Sequence, residues 1–196
     1  MVPQHIRIFI ETWKKLPGLG PRAATRLAFF IAGLPRNELR TLQESLEVLD
    51  NLNACPKCFS LKEAAEDTCG ICKNKERQKN VIAVVEKDTD LLTLERSREF
   101  RGTYLLLGDL RINGILEEEH KKRLEHLKKR AEEEGIKEVI LAMGPNTLSD
   151  MLYEIIKRDL APLGVSVTRL GRGIPTGGEI EFADEETLKS ALRRRI

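Results

Sequence analysis

The chain has 196 residues and a formal net charge of +2, with 41% hydrophobic and 33% charged residues. That length can bury a substantial core as one large domain or two to three small ones, and the mixed composition excludes both a disordered tail and a scaffold that needs staples to fold. No apolar run approaches the roughly 20 residues of a membrane span, and the amino terminus lacks the unbroken apolar stretch of a signal peptide, so a cytoplasmic location is expected. The mild basicity neither requires nor excludes a nucleic-acid partner, which leaves the decision to how charge is distributed.

Residues 4 to about 53 read as three helices. The first carries Ile6, Phe9, Ile10 and Trp13 at helical spacing; the second opens on Pro21 as an N1 proline and is expected to bury Leu27, Phe30 and Ile31; the third uses Leu39, Leu42, Leu46 and Leu49. Between the first two lies LPGLGP, a hydrophobic-Gly-hydrophobic-Gly turn of helix-hairpin-helix type. Gly18 and Gly20 let the backbone approach a partner closely, and the free N–H groups at the start of the next helix can bind phosphate. Arg22 and Arg26 stand one helical turn apart, so both can face one phosphate backbone, with Lys14 and Lys15 as further candidates. The competing reading is a plain turn between helices with solvated arginines.

All four cysteines fall in one short segment, Cys55, Cys58, Cys69 and Cys72, spaced C-x2-C-x10-C-x2-C. Two tight turns of this spacing present four thiolates to one tetrahedral ion, and a reducing compartment favours metal over disulfides. A structural Zn²⁺ is therefore expected, standing in for a hydrophobic core that so short a segment cannot build. A redox dithiol is the alternative, and two pairs in a loop-rich stretch fit it poorly. Cys55→Ser is expected to unfold this segment and leave the rest folded.

From Val81 the pattern alternates apolar strand and amphipathic helix: VIAVVE, a helix from about Asp88, TYLLLG, a charged helix from about Glu117 to Glu134, EVILAM, a helix from about Leu148 to Leu160, and VSVTRL. This implies an α/β fold with a parallel sheet covered on both faces. Gly135 reads as the residue closing one helix, Pro162 follows another, and Asp184 caps a last helix after the glycine-rich GRGIPTGGE. That loop lacks the G-x4-G-K-[ST] pattern of a nucleotide-binding loop. His120 and His126 lie in the charged helix and are expected to be solvated.

Glu86, Asp88 and Asp109 fall at or beyond strand ends, where α/β sheets form sites and where neighbouring carboxylates can hold Mg²⁺, as in Toprim domains. After EVILAM, where a Toprim enzyme carries an Asp-x-Asp pair, the chain reads GPNTLSD with Asp150 alone. The expectation is a structural acidic patch and no enzyme; a Mg²⁺-dependent nuclease or strand transferase acting through Glu86, Asp88 and Asp109 is the alternative.

LPGLGPRAATRLAFF, the four-cysteine segment, VIAVVEKDTD and VTRLGRGIPTGGEIEFADEETLKSAL, in this order, resemble the bacterial RecR family of recombination mediators over essentially the whole chain. The run from Thr168 through Arg172, Gly173, Pro175, Gly177 and Gly178 to Glu185 is the most specific part. The stretches GDLRINGILEEEH and NTLSDMLYEI depart from the family's usual versions. The resemblance implies a helix-hairpin-helix domain over residues 1–53, a four-cysteine zinc finger over 54–77, a Toprim domain over 78–170 and a carboxyl-terminal segment over 171–196. It also implies a homotetrameric ring on double- and single-stranded DNA, working with RecO and RecF to load RecA. By position, Arg22 and Arg26 match the family's DNA-binding pair, the four cysteines its zinc ligands, and Glu86 a glutamate linked to partner binding.

Overall fold

The computed structural model describes residues 2–110, 116–171 and 173–193; of the motif residues named above, Arg172 lies outside them. The chain divides into two compact units, Met1–Leu52 and Asn53–Ile196.

In the first unit, α1 spans Gln4–Trp13, α2 Pro21–Ala32 and α3 Arg36–Glu47, followed by a 3₁₀ turn over Val48–Asn51. Pro21 occupies the first helical position as expected, with extended Gly20 before it. The buried residues of α2 are Ala24 and Ala28, whose small side chains allow close helix approach. Leu27 and Ile31 are half-buried, whereas Phe30, expected in the core, is 65% exposed. Three short helices cannot cover every apolar position of their stripes, and Phe29, Leu42, Leu46 and Leu49 are likewise open to solvent in the single chain.

The second unit begins in a small ribbon, β1 (Leu52–Ala54) beside β2 (Leu61–Glu63), and a single turn, α4 (Gly70–Lys73). A four-stranded sheet follows, from β3 (Val81–Val85), β4 (Thr103–Leu106), β5 (Glu138–Leu141) and β6 (Ser166–Arg169), in the order β4-β3-β5-β6. Every pairing is parallel, with Ile82 opposite both Thr103 and Val139, and Val139 opposite Val167. Parallel neighbours need crossovers, supplied by α5 (Asp88–Ser97), α6 (Glu118–Glu133) and α7 (Thr147–Leu160).

The two-residue strand period divides the core. Ile82, Val84, Leu105, Val139 and Leu141 face one side with Leu127 of α6 and Leu152, Ile156 and Leu160 of α7. Ala83, Val85, Tyr104 and Leu106 face the other with Leu91 of α5. Both faces are covered, which explains why the strands read as unbroken apolar runs. Gly135 has φ 66° after α6 and Gly164 has φ 67° after α7, the left-handed conformation that glycine adopts without Cβ clash. The last helix, α8 (Glu185–Arg193), starts with Asp184 Oδ1 accepting the Thr187 N–H at 2.9 Å.

Candidate metal centre and nucleic-acid interface

The four sulfurs of Cys55, Cys58, Cys69 and Cys72 all lie within 4.8 Å of one another. A tetrahedral thiolate site with metal–sulfur bonds of ~2.3 Å has sulfur–sulfur edges of ~3.8 Å; here the Cys58–Cys69 edge is 3.5 Å. Backbone N–H groups point at the sulfurs, Cys69 N–H to Cys55 Sγ at 3.4 Å and Cys72 N–H to Cys69 Sγ at 3.5 Å. The hydrogen bond from Cys58, and then that from Cys72, holds the Cys69 thiol far below its ordinary value, while the same Cys58–Cys69 contact pushes Cys58 up. Four mostly buried sulfurs this close together, met by backbone N–H donors, are a donor set that one metal ion can draw into a tetrahedron, so the residues fit one ion.

The first cysteine pair is fastened to the sheet. Cys58 O accepts the Leu106 N–H at 2.8 Å, and Lys57 O accepts from Arg130 Nη1 at 3.1 Å and bonds His126 Nε2 at 3.1 Å. Arg130 is 5% exposed; it also donates to Tyr104 O and Thr103 Oγ1 and pairs with Glu134. Phe59 closes the turn, its N–H donating to Cys55 O at 2.8 Å, in a left-handed conformation with φ 64°. That geometry costs a residue with Cβ about 1 kcal/mol; the ring offsets it by packing on both faces' core clusters, 5.0 Å from the His126 ring and 4.9 Å from the Arg123 guanidinium. Asp88 joins β2 to the sheet, accepting from Ser60 Oγ at 2.7 Å and Leu61 N–H at 3.1 Å. The cysteine segment thus shares hydrogen bonds with the strands and helices of the second unit.

The acidic residues are distributed differently. Glu86 Oε1 accepts the Leu110 N–H at 3.3 Å, Asp88 serves β2, and Asp150 pairs with Arg169. Among the described residues, the cysteines form the one group of three or more metal-ligating side chains close enough to share an ion. A cavity of about 790 Å³ does open at the carboxyl ends of β3, β5 and β6, lined by Glu86, Lys87, Asp90, Asn146, Arg169 and Asp184 among others. The Arg169 guanidinium lies 3.7 Å over the Tyr153 ring, and its buried Nε has no partner among the described residues. Arg130 and Phe59 carry no motif that reveals them in sequence, and Arg169, though inside the VTRLGRGIPTGGE run, is not singled out by it. Of the two histidines expected in solvent, His120 is buried with Nδ1 accepting the Glu117 N–H at 3.0 Å, and His126 is half-buried with Nε2 3.1 Å from Lys57 O.

In the first unit the glycine turn is tight and uncrowded. Leu16 N–H donates to Trp13 O and Leu19 N–H to Leu16 O, Gly18 has φ 75°, and a Cβ built at Gly18 or Gly20 meets nothing within 4 Å. Arg22 and Arg26 project from the first two turns of α2, exposed and without an ion pair among the described residues. Lys14 differs, its Nζ lying 2.6 Å from Glu11 Oε2.

Family models match along the chain: "RecR, helix-hairpin-helix" over residues 6–49, "Toprim domain" over 80–171 and "RecR, C-terminal" over 173–196. Proteins named Recombination protein RecR are similar over almost their entire length. That of Chloroflexus aurantiacus is 42% identical, covering 100% of this chain and 95% of the relative; that of Gloeobacter violaceus is 41% identical, covering 100% and 98%. The Staphylococcus saprophyticus protein is 37% identical, covering 98% and 97%. The chain belongs to the RecR family. The matched domains account for the order helical hairpin and then parallel sheet, and no helix among the described residues is long and apolar enough to cross a membrane.

Proposed function

We propose that this chain is a recombination mediator of DNA repair, acting by binding and assembly and not by catalysis. The observation that carries this reading is the exposed hairpin, in which Gly18 and Gly20 leave the backbone open and Arg22 and Arg26 stand unpaired beside the amino end of α2. A phosphate placed there meets free N–H groups, the positive end of the helix dipole and two guanidinium groups, none of which reads base identity. Both double- and single-stranded DNA can be held this way, with Lys14 contributing if it leaves Glu11. The ion at the cysteines is Zn²⁺ in a structural role, since four thiolates leave no open coordination position. Glu86, at the mouth of the sheet's cavity, serves partner docking. The partners are RecO and RecF, with RecA loading as the outcome, a homotetrameric ring as the working form and the cytoplasm as the location.

The Toprim match is the one observation favouring a Mg²⁺-dependent nuclease or strand transferase at Glu86. One experiment separates the two readings: labelled duplex DNA with Mg²⁺, examined on a native gel. Retarded, intact DNA is expected; cleavage that disappears in Glu86→Gln would overturn the mediator reading. In salt titrations Arg22→Ala/Arg26→Ala should weaken binding to all sequences alike. The slope of log affinity against log salt should flatten by about 0.9 for each phosphate that is no longer neutralised.

A further inference from the structure

Among the described residues, two that are not glycine hold a left-handed backbone, Phe59 and Arg98. The ring of Phe59 is packed and accounts for its conformation. Arg98 closes α5 at φ 59°, a position where glycine fits without penalty, yet its side chain is exposed and makes no hydrogen bond, ion pair or ring contact among the described residues. Strain kept for a side chain that touches nothing in its own chain points outward.

The loop presenting Arg98 is firmly held. Arg98 N–H donates to Glu95 O at 3.1 Å, Gln78 N–H donates to Arg101 O at 2.9 Å, and Arg77 Nη1 reaches Phe100 O at 3.2 Å and Gly102 O at 3.3 Å. A Cβ at Gly102 would lie 2.7 Å from Val81 O, so the chain runs flush against β3 there. These bonds join residues 73–79 to residues 96–102. The two stretches contain Lys73, Lys75, Arg77, Lys79, Arg96, Arg98 and Arg101 against Glu76 and Glu99, a net +5 in a chain whose total is +2. Lys73 pairs with Glu66, Arg77 turns inward on Glu95, and Lys79 Nζ is held by Cys72 O and Asn74 O. Lys75, Arg96, Arg98 and Arg101 remain exposed, with side chains that have no partner among the described residues. Complementing the α5 dipole explains Arg96, but not Lys75 or Arg101, which lie outside the helix, nor an arginine where glycine fits better.

We propose that Lys75, Arg96, Arg98 and Arg101 form a second phosphate-binding surface, on the sheet unit, for the DNA backbone irrespective of base sequence. The proposal rests on the DNA-binding reading above. Guanidinium forks match phosphate oxygens, and a loop already fixed by Arg77 loses little freedom when it binds.

The test compares four proteins for affinity to a labelled duplex over a range of salt, with melting temperature recorded for each: wild type, Arg22→Ala/Arg26→Ala, Arg96→Ala/Arg98→Ala/Arg101→Ala, and Arg98→Gly. The triple variant should flatten the salt slope by roughly 2 to 3, at about 0.9 per phosphate neutralised. Arg98→Gly should flatten it by about one while melting at the wild-type temperature or higher, a combination that a purely structural arginine does not give. If both variants bind as wild type while the hairpin variant is impaired, the second surface is refuted and the hairpin stands. Wild type that binds no DNA refutes the DNA reading itself, and this proposal with it. Unchanged DNA binding with loss of poly-glutamate binding in the triple variant makes the surface a dock for an acidic protein and also overturns the proposal.

Discussion

Glu95 receives the Tyr104 hydroxyl at 2.6 Å and the Arg77 guanidinium, beneath a tyrosine that is fully buried. Burial opposes its ionisation, but the hydrogen bonds from Arg77 and Tyr104 outweigh this and hold the carboxyl below its ordinary value of 4.5. Its unfolded form therefore binds a proton at a higher pH than its folded form does. The stability it contributes is complete above the ordinary glutamate range and is lost as pH falls through the depressed folded value. Melting temperature should drop on acidification below about pH 4.5, and Glu95→Gln should melt lower at neutral pH with a shallower acid decline. Equal acid declines in the two proteins would remove Glu95 as a source of that dependence. Arg130 is the second residue on which much depends. Arg130→Met keeps the apolar stem but leaves the carbonyls of Lys57 and Tyr104 without their guanidinium donor. The expected cost is on the order of 3 kcal/mol, measured by denaturant unfolding.

Among the elements, the cysteine turns are hydrogen-bonded to the sheet and to α6, which bears on what metal loss should do. Taking the ion from the thiolates loosens the turn whose Lys57 and Cys58 carbonyls are held by Arg130, His126 and Leu106. A chelator should then lower the unfolding midpoint of the parallel sheet, followed by far-ultraviolet circular dichroism, as well as releasing the ion. An unchanged midpoint would show that the turns unfold alone, as the spacing by itself implied. The difference shows what is legible in a sequence. C-x2-C pairs, glycine turns and two-residue or helical periodicities are local, so the cysteine cluster, the hairpin and the order of strands and helices can all be read. Arg130 meets Lys57 across 73 residues of chain, and such a bond leaves no local pattern. For the same reason His126 reads as one more polar residue on a charged helix until Phe59 packs beside it. The acidic set, expected to be structural, has its partners outside the local pattern: Glu86 and Asp88 are close in sequence, and Asp88 is engaged with Ser60 and Leu61.

On the scale of the molecule, large apolar side chains stand open in both units. Phe30, Val48 and Leu49 of the first are 65%, 58% and 57% exposed, and Ile180, Phe182 and Leu192 of the second 68%, 79% and 64%. Exposed apolar side chains of this kind are available to pack against another copy, as the proposed ring would need. Phe30→Glu should fold normally, since Phe30 contributes little to its own chain's core, yet sediment as a smaller species than wild type. Sedimentation unaltered by this change would locate the subunit contacts elsewhere.

The fastening of the cysteine turns also sets an order of events during synthesis. All four thiols are made before Val81, so the ion can be captured while the sheet does not yet exist. Leu106 follows, and His126 and Arg130 come later still. At ~5–20 residues per second, the interval between Cys72 and Arg130 lasts on the order of several seconds. Through most of it neither His126 nor Arg130, the side chains that meet the Lys57 carbonyl in the folded chain, has been made. A turn drawn together by an ion at that stage would offer acceptors to which the edge strand β4 and then helix α6 can attach as they emerge.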